Sequence, residues 1–134
     1  MSPWVEIEHT ADWALKVWAP ALEALFLEAA RGMYALAGAR GAPGPGQRVA
    51  VTLQAGDVEG LLVAWLQEWL YYTEMQGLVF DEFQIEGLTP TTLQGSARGR
   101  PAAQLDKLIK AVTYHNLQIE TQETGYRVTI VFDV

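Results

Sequence analysis

Hydrophobic and polar residues alternate from Trp4 to Ala19 in two short runs. Val5 and Ile7 share one face of the first run, Trp13, Leu15 and Val17 share one face of the second, and Glu8 to Asp12 lie between them. This period of two predicts a strand, a turn and a second strand. After Pro20, which suits a first helical position, the period lengthens. Leu22, Leu25, Phe26, Ala29, Met33, Leu36 and Ala37 recur at spacings of three and four before Gly38, which predicts an amphipathic helix. The stretch Gly38 to Gly46 is rich in glycine and proline and reads as a surface loop. Gln47 to Ala55 alternates again, and Asp57 stands where an N-cap belongs before Val58, Leu61, Leu62, Trp65, Leu66 and Trp69, so a strand leads into a second helix.

Beyond Gly77 the pattern returns to strands. Leu78 to Glu86 and Thr91 to Gly99 are joined by Gly87-Leu88-Thr89-Pro90, a turn by composition. Pro101 to Lys107 reads as a short helix, and Ile109 to Glu120, rich in β-branched and aromatic residues, as a strand. Tyr126 to Val134 places Val128, Ile130, Phe132 and Val134 on one face. Two helices with roughly seven strands predict an α+β sandwich, its sheet antiparallel or mixed and its helices packed on one side. At 134 residues, half of them hydrophobic, the chain is expected to form a single domain over residues 1–134.

Composition narrows the chemistry. The chain has no cysteine, which removes disulfides, thiolate metal ligands and thiol nucleophiles. Ser2 and Ser96 are its only serines, and neither lies in a nucleophile elbow. A net charge of −7 repels phosphate backbones, so direct nucleic-acid binding is not expected, and a cation or a basic protein is the better partner. The start of the chain shows no signal-peptide pattern, and the apolar run Leu61 to Tyr72 is too short to cross a bilayer. A cytoplasmic location away from membranes is the expectation.

Two groups of residues are able to carry chemistry. Glu8, His9 and Asp12 cluster in the first turn, and Asp133 with Val134 lies at the far end of the sequence. All are oxygen or imidazole donors of the kind that hard divalent cations favour, while the plain alternative makes Asp12 a turn residue and Asp133 a solvated edge residue. Lys110, Thr113, Tyr114 and His115 form the second group. On a regular strand Thr113 and His115 would face one way, Lys110 and Tyr114 the other. Trp65 and Trp69, four apart on one helical face, are expected in the core rather than on a binding platform.

The run Glu8-His9-Thr10-Ala11-Asp12 resembles the Asp-His-Thr-Ala-Asp signature of the archease family. Three further stretches agree in order: Leu25-Phe26 through Ala29-Ala30 to Met33, Leu61-Leu62 through Trp65-Leu66 to Glu68-Trp69-Leu70, and Ile109 to His115. The final Asp133-Val134 matches the family's aspartate-plus-aliphatic ending. The resemblance implies a metal-binding protein cofactor, not an enzyme, that helps an RtcB-class RNA ligase guanylylate itself and turn over in tRNA splicing or RNA repair. It further implies that Asp12, Asp133 and Val134 hold a divalent ion. Calcium is the expected ion, with Mg²⁺, Mn²⁺ or, through His9, Zn²⁺ as alternatives. Glu8, His9, Lys110 and His115 would be supporting neighbours. Glu8 stands where the family usually has aspartate, and Gly99-Arg100 where many relatives have Gly-Glu. Two other readings stand beside this one: a stand-alone metal-dependent phosphohydrolase, and a chaperone-like interaction protein that would present Trp65 or Trp69 on its surface.

Overall fold

The computed structural model describes residues 3–8 and 13–134, with the side chains of Ile7 and Glu8 left aside. The two opening runs form strands β1 (Trp4–Glu8) and β2 (Trp13–Ala19), paired antiparallel with Glu8 opposite Trp13. Helix α1 (Leu22–Leu36) follows. Its N-cap is Ala21, so Pro20 precedes the helix instead of opening it. Strands β3 (Arg40–Gly41) and β4 (Gln47–Gln54) lead to helix α2 (Val58–Gln76). Asp57 caps α2 as its residue type predicts, its side chain accepting from Gly60 N at 2.7 Å, and Gly77 closes the helix in the left-handed conformation at φ 67°. Then come β5 (Leu78–Leu88), β6 (Thr92–Gln104), β7 (Ala111–Val112), β8 (Glu120–Gln122) and β9 (Gly125–Asp133).

These nine strands build two antiparallel sheets among the described residues. One runs β1-β2-β9-β7, with β8 also on β9. In the other, β6 has β5 along one side and β4 and β3 on the other. The expectation of helices on one side of a single sheet is thereby corrected: α1 packs against β2 and β5, and α2 against β4, β5 and β7, so each helix contacts both sheets. Burying both faces of a helix demands a broad apolar surface, and α2 supplies it with Leu61, Leu62, Trp65, Leu66 and Trp69 at most 0% exposed.

Three local expectations change. Residues 101–107 do not form a helix, because β6 continues through Pro101 to Gln104, where Ala102 N donates to Gly77 O (2.9 Å) and Gln104 pairs with Arg40. Residues 109–120 do not form one strand. Ala111 and Val112 pair with β9, the chain then turns at Asn116, whose φ is 51°, and Glu120 already belongs to β8. The Gly38–Gly46 loop contains β3. In the β1–β2 register Val5 pairs with the outward Lys16 and is exposed, while Trp4 pairs with Val17 and packs on the core.

Inside, Trp65 and Trp69 meet edge to face at 5.2 Å, and Phe80 and Phe83 of β5 close around Trp69. Trp65 Nε1 donates to Phe26 O at 3.0 Å, tying α2 to α1. Beside them Tyr34 Oη and Thr73 Oγ1 are 2.7 Å apart, both residues being buried. Burial pushes the Tyr34 phenol above the usual tyrosine range, and its hydrogen bond with Thr73 draws it only part of the way back. A raised native value means that the unfolded chain ionises first, so stability conferred below about pH 10 is lost as pH climbs further. Tyr34→Phe is therefore expected to cost about 1 kcal/mol at neutral pH through the lost hydrogen bond. The same variant should show a shallower decline in urea midpoint above pH 10 than the parent; an unchanged slope would exclude Tyr34 as its source.

Candidate functional site

Of the described candidate residues, Asp133, Val134 and Lys110 lie where β9 ends, beside the start of β2. Trp13 is paired with Phe132, so the strand that follows Asp12 in sequence is held beside the strand that ends with Asp133. His9 and Asp12 lie outside the described residues, and of Glu8 only the backbone is described, closing β1 opposite Trp13. Asp133 is exposed, and no salt bridge among the described residues involves it. Val134 is half-buried and packs against the core.

Lys110 is brought to this end of the sheet: its backbone N–H donates to Asp133 O at 2.8 Å, and Thr113 N donates to Val131 O at 2.9 Å. Its side chain is exposed. His115 is not on a strand. It is exposed in the turn after β7, with Nε2 and Asn116 Nδ2 3.3 Å apart, so the opposed faces expected for Lys110 and His115 do not apply.

Two residues without a role in the sequence reading shape this region. Gln67 Oε1 accepts from Val112 N at 3.1 Å and thereby fixes β7 against α2. Its signal was a lone amide within an apolar helical run. Lys107 Nζ lies 5.9 Å from the centroid of the Trp13 ring, a cation–π contact that brings a second ammonium close to the start of β2.

As ligand chemistry, the exposed Asp133 carboxylate and main-chain oxygens of the 133–134 segment suit a hard cation, but one carboxylate does not make a site. Among the described residues no three histidine, aspartate or glutamate side chains are grouped to hold a metal.

At the opposite end of β9, a cleft of about 450 Å³ opens between the starts of the two helices, lined by Leu22, Val58, Leu88, Pro90, Ile119 and Tyr126 among others. Among the described residues Glu23 is the one carboxylate on its wall. It holds no acid–base pair of the kind hydrolysis requires. Nor do Trp65 and Trp69 form a surface patch, since both are 0% exposed. Among the described residues no helix is long and apolar enough to cross a membrane.

A model of the archease protein family (MTH1598/TM1083) matches residues 4–134. The chain belongs to the archease family. The archease of Methanopyrus kandleri is 35% identical, the match covering 98% of this chain and 99% of that protein. That of Aeropyrum pernix is 30% identical over 98% and 96%. Two solved structures share the fold. The crystal structure of an archease from Thermotoga maritima, described there as a possible chaperone, has a TM-score of 0.71 at 22% identity and covers 96% of this chain and 94% of its own. The solution structure of Methanobacterium thermoautotrophicum protein 1598 has a TM-score of 0.72 at 24% identity, with 100% of both chains covered. The names of these four proteins describe no catalysed reaction.

Proposed function

We propose that this family member is a metal-binding activator of an RtcB-class RNA ligase, without a substrate of its own, working in tRNA splicing or RNA repair in the cytoplasm. The observation that supports the reading is the pairing of Trp13 with Phe132, the residues next in sequence to Asp12 and Asp133, across most of the length of the chain. Asp12 and Asp133 would hold the ion through their carboxylates and Val134 through a main-chain oxygen, with Glu8, His9, Lys110 and His115 in support. Oxygen donors favour Ca²⁺, while Mg²⁺ and Mn²⁺ are acceptable and Zn²⁺ would need His9. A bound divalent ion would offset phosphate charge during nucleotidyl transfer. The Lys110 backbone N–H, which donates to Asp133 O, would keep the Asp133 end of the site in register.

The test is multiple-turnover RNA ligation and histidine guanylylation by a cognate RtcB-class ligase, with the wild-type chain, Asp12→Ala, Asp133→Asn, or no addition. Wild type is expected to raise turnover, and each variant to lose at least about tenfold of that stimulation, about 1.4 kcal/mol, with unchanged thermal unfolding. Equal stimulation by Asp133→Asn, in a protein that no longer binds Ca²⁺ in a calorimetric titration, would remove the metal from the mechanism. No stimulation by wild type would remove the function.

A further inference from the structure

Five large apolar side chains stand out as exposed: Val5 (48%), Tyr71 (54%), Met75 (63%), Leu108 (42%) and Tyr114 (65%). Tyr71 and Met75 lie on α2, Leu108 and Tyr114 on the segment that follows β6. Ala102 N donates to Gly77 O, Asp106 N and Lys107 N to Ala37 O, Val112 N to Gln67 Oε1 and Ile119 N to Glu59 Oε2, so the chain leaves the end of α2, passes the end of α1 and from Val112 to Ile119 runs back along α2 to its first turn. Tyr114 lies on this returning stretch, and Leu108 between the contacts at Ala37 and Gln67. Tyr71 and Met75 follow Gln67 at spacings of four, on the same stripe of α2.

The charges around the stripe point to its occupant. At about 100° per residue, Glu68 and Glu74 fall about 60° to either side of Tyr71, so the apolar centre is rimmed by carboxylates. Helix α2 carries Glu59, Glu68 and Glu74 and no lysine or arginine. Glu74 is close to the C-terminal end, where the helix dipole disfavours an anion and no basic residue offsets it. Glu59 has a local use, holding Ile119 N, whereas no side-chain hydrogen bond or salt bridge among the described residues engages Glu68 or Glu74.

We propose that the Tyr71–Met75 stripe of α2, together with Leu108 and Tyr114, is the surface on which a partner protein with a basic rim and an apolar centre docks. The inference rests on the activator reading above, which makes that partner the ligase. Tyrosine and methionine at the centre and charge at the rim are the usual anatomy of a protein interface, and the acidic rim speeds encounter with a basic surface. Because Lys110, between Leu108 and Tyr114, donates its backbone N–H to Asp133 O, a partner seated here would lie next to the candidate metal residues.

The test measures binding of the intact chain to an RtcB-class ligase by interferometry at low and moderate salt, alongside the turnover assay. Tyr71→Ser/Met75→Ser is expected to weaken binding at least tenfold with an unchanged melting temperature, while Val5→Ser has no effect. Glu74→Lys should weaken binding severalfold and flatten its salt dependence while leaving the melting temperature unchanged or higher, a combination that a structural role for Glu74 would not produce. Asp133→Asn should bind normally and fail to stimulate. If the double variant binds as wild type while wild type stimulates turnover, the docking surface is refuted and the activator function stands. If wild type neither binds nor stimulates, both fall. If the double substitution dissolves a homodimer and leaves ligase binding intact, the occupant is a second copy and the proposal is wrong.

Discussion

Replacing Trp65 by alanine is expected to destabilise the protein by about 3–5 kcal/mol, the range for emptying a buried aromatic site. Trp65 is 0% exposed and bridges three elements. Its indole N–H reaches Phe26 O on α1, its ring packs edge to face on Trp69 and Phe83, and its six-membered ring lies so close to Gly95 of β6 that a Cβ there would be 2.9 Å from Cζ3. Backbone on two sides leaves little freedom to collapse into the cavity, which places the loss toward the upper end. Since small domains are stable by about 5–15 kcal/mol in total, the urea midpoint should fall steeply at an unchanged slope. Trp69→Phe is a useful contrast. The Trp69 N–H is buried without a hydrogen-bond partner among the described residues, so removing it relieves an unsatisfied donor and should cost clearly less than Trp65→Phe. Equal losses for the two phenylalanine variants would show that ring volume alone, and not the Phe26 hydrogen bond, accounts for Trp65.

Gly125→Ala is expected to cost about 3 kcal/mol or more, an unusual penalty for one methyl group outside the core. Gly125 has φ 139°, a conformation that residues with a side chain rarely adopt. A Cβ at this position would overlap Ala19 O and approach Pro20 Cα to 2.6 Å, both backbone atoms. Neither is easily moved, because Ala19 is paired with Tyr126 at the end of the β2–β9 ladder and Gly125 itself is paired with Gln122. Relief would have to come from opening the β8–β9 turn. Equilibrium unfolding measures the loss; a change below about 0.5 kcal/mol, as for an ordinary surface substitution, would show that the turn relaxes freely.

The residues disclosed most of the fold where one periodicity governed a whole element. Both helices and the strands at Gln47–Gln54 and Gly125–Asp133 are of that kind, and Asp57 acts as the cap its position suggested. Where local composition competed with distant pairing, pairing won. Pro101 and Ala102 extend β6 because Leu78 and β3 lie alongside. Ile109 to Glu120 has strand-forming residues, yet β9 accepts only Ala111 and Val112 before the chain is drawn along α2 by Gln67 and Glu59. Of the candidate site, Asp133, Val134 and Lys110 proved to be neighbours at one sheet end, whereas His115 lies in a turn. The exposed stripe was illegible for another reason. In a helix apolar nearly all round, Tyr71 and Met75 look like two more core residues, and only the packing of both sheets shows which side is left uncovered.

The pairing of β2 with β9 also bears on how the molecule folds. Trp13 to Ala19 must find Tyr126 to Phe132, so the largest sheet is closed by contacts that span nearly the entire chain. Such closure has to be reached before its contacts reward it, which slows folding relative to a chain built from neighbouring hairpins. The β5–β6 hairpin with β4 and α2 needs no residue before Gln47 to assemble. Refolding should therefore begin in that half, and the end of the sheet that carries Asp133 should be the last part of the protein to become protected from hydrogen exchange.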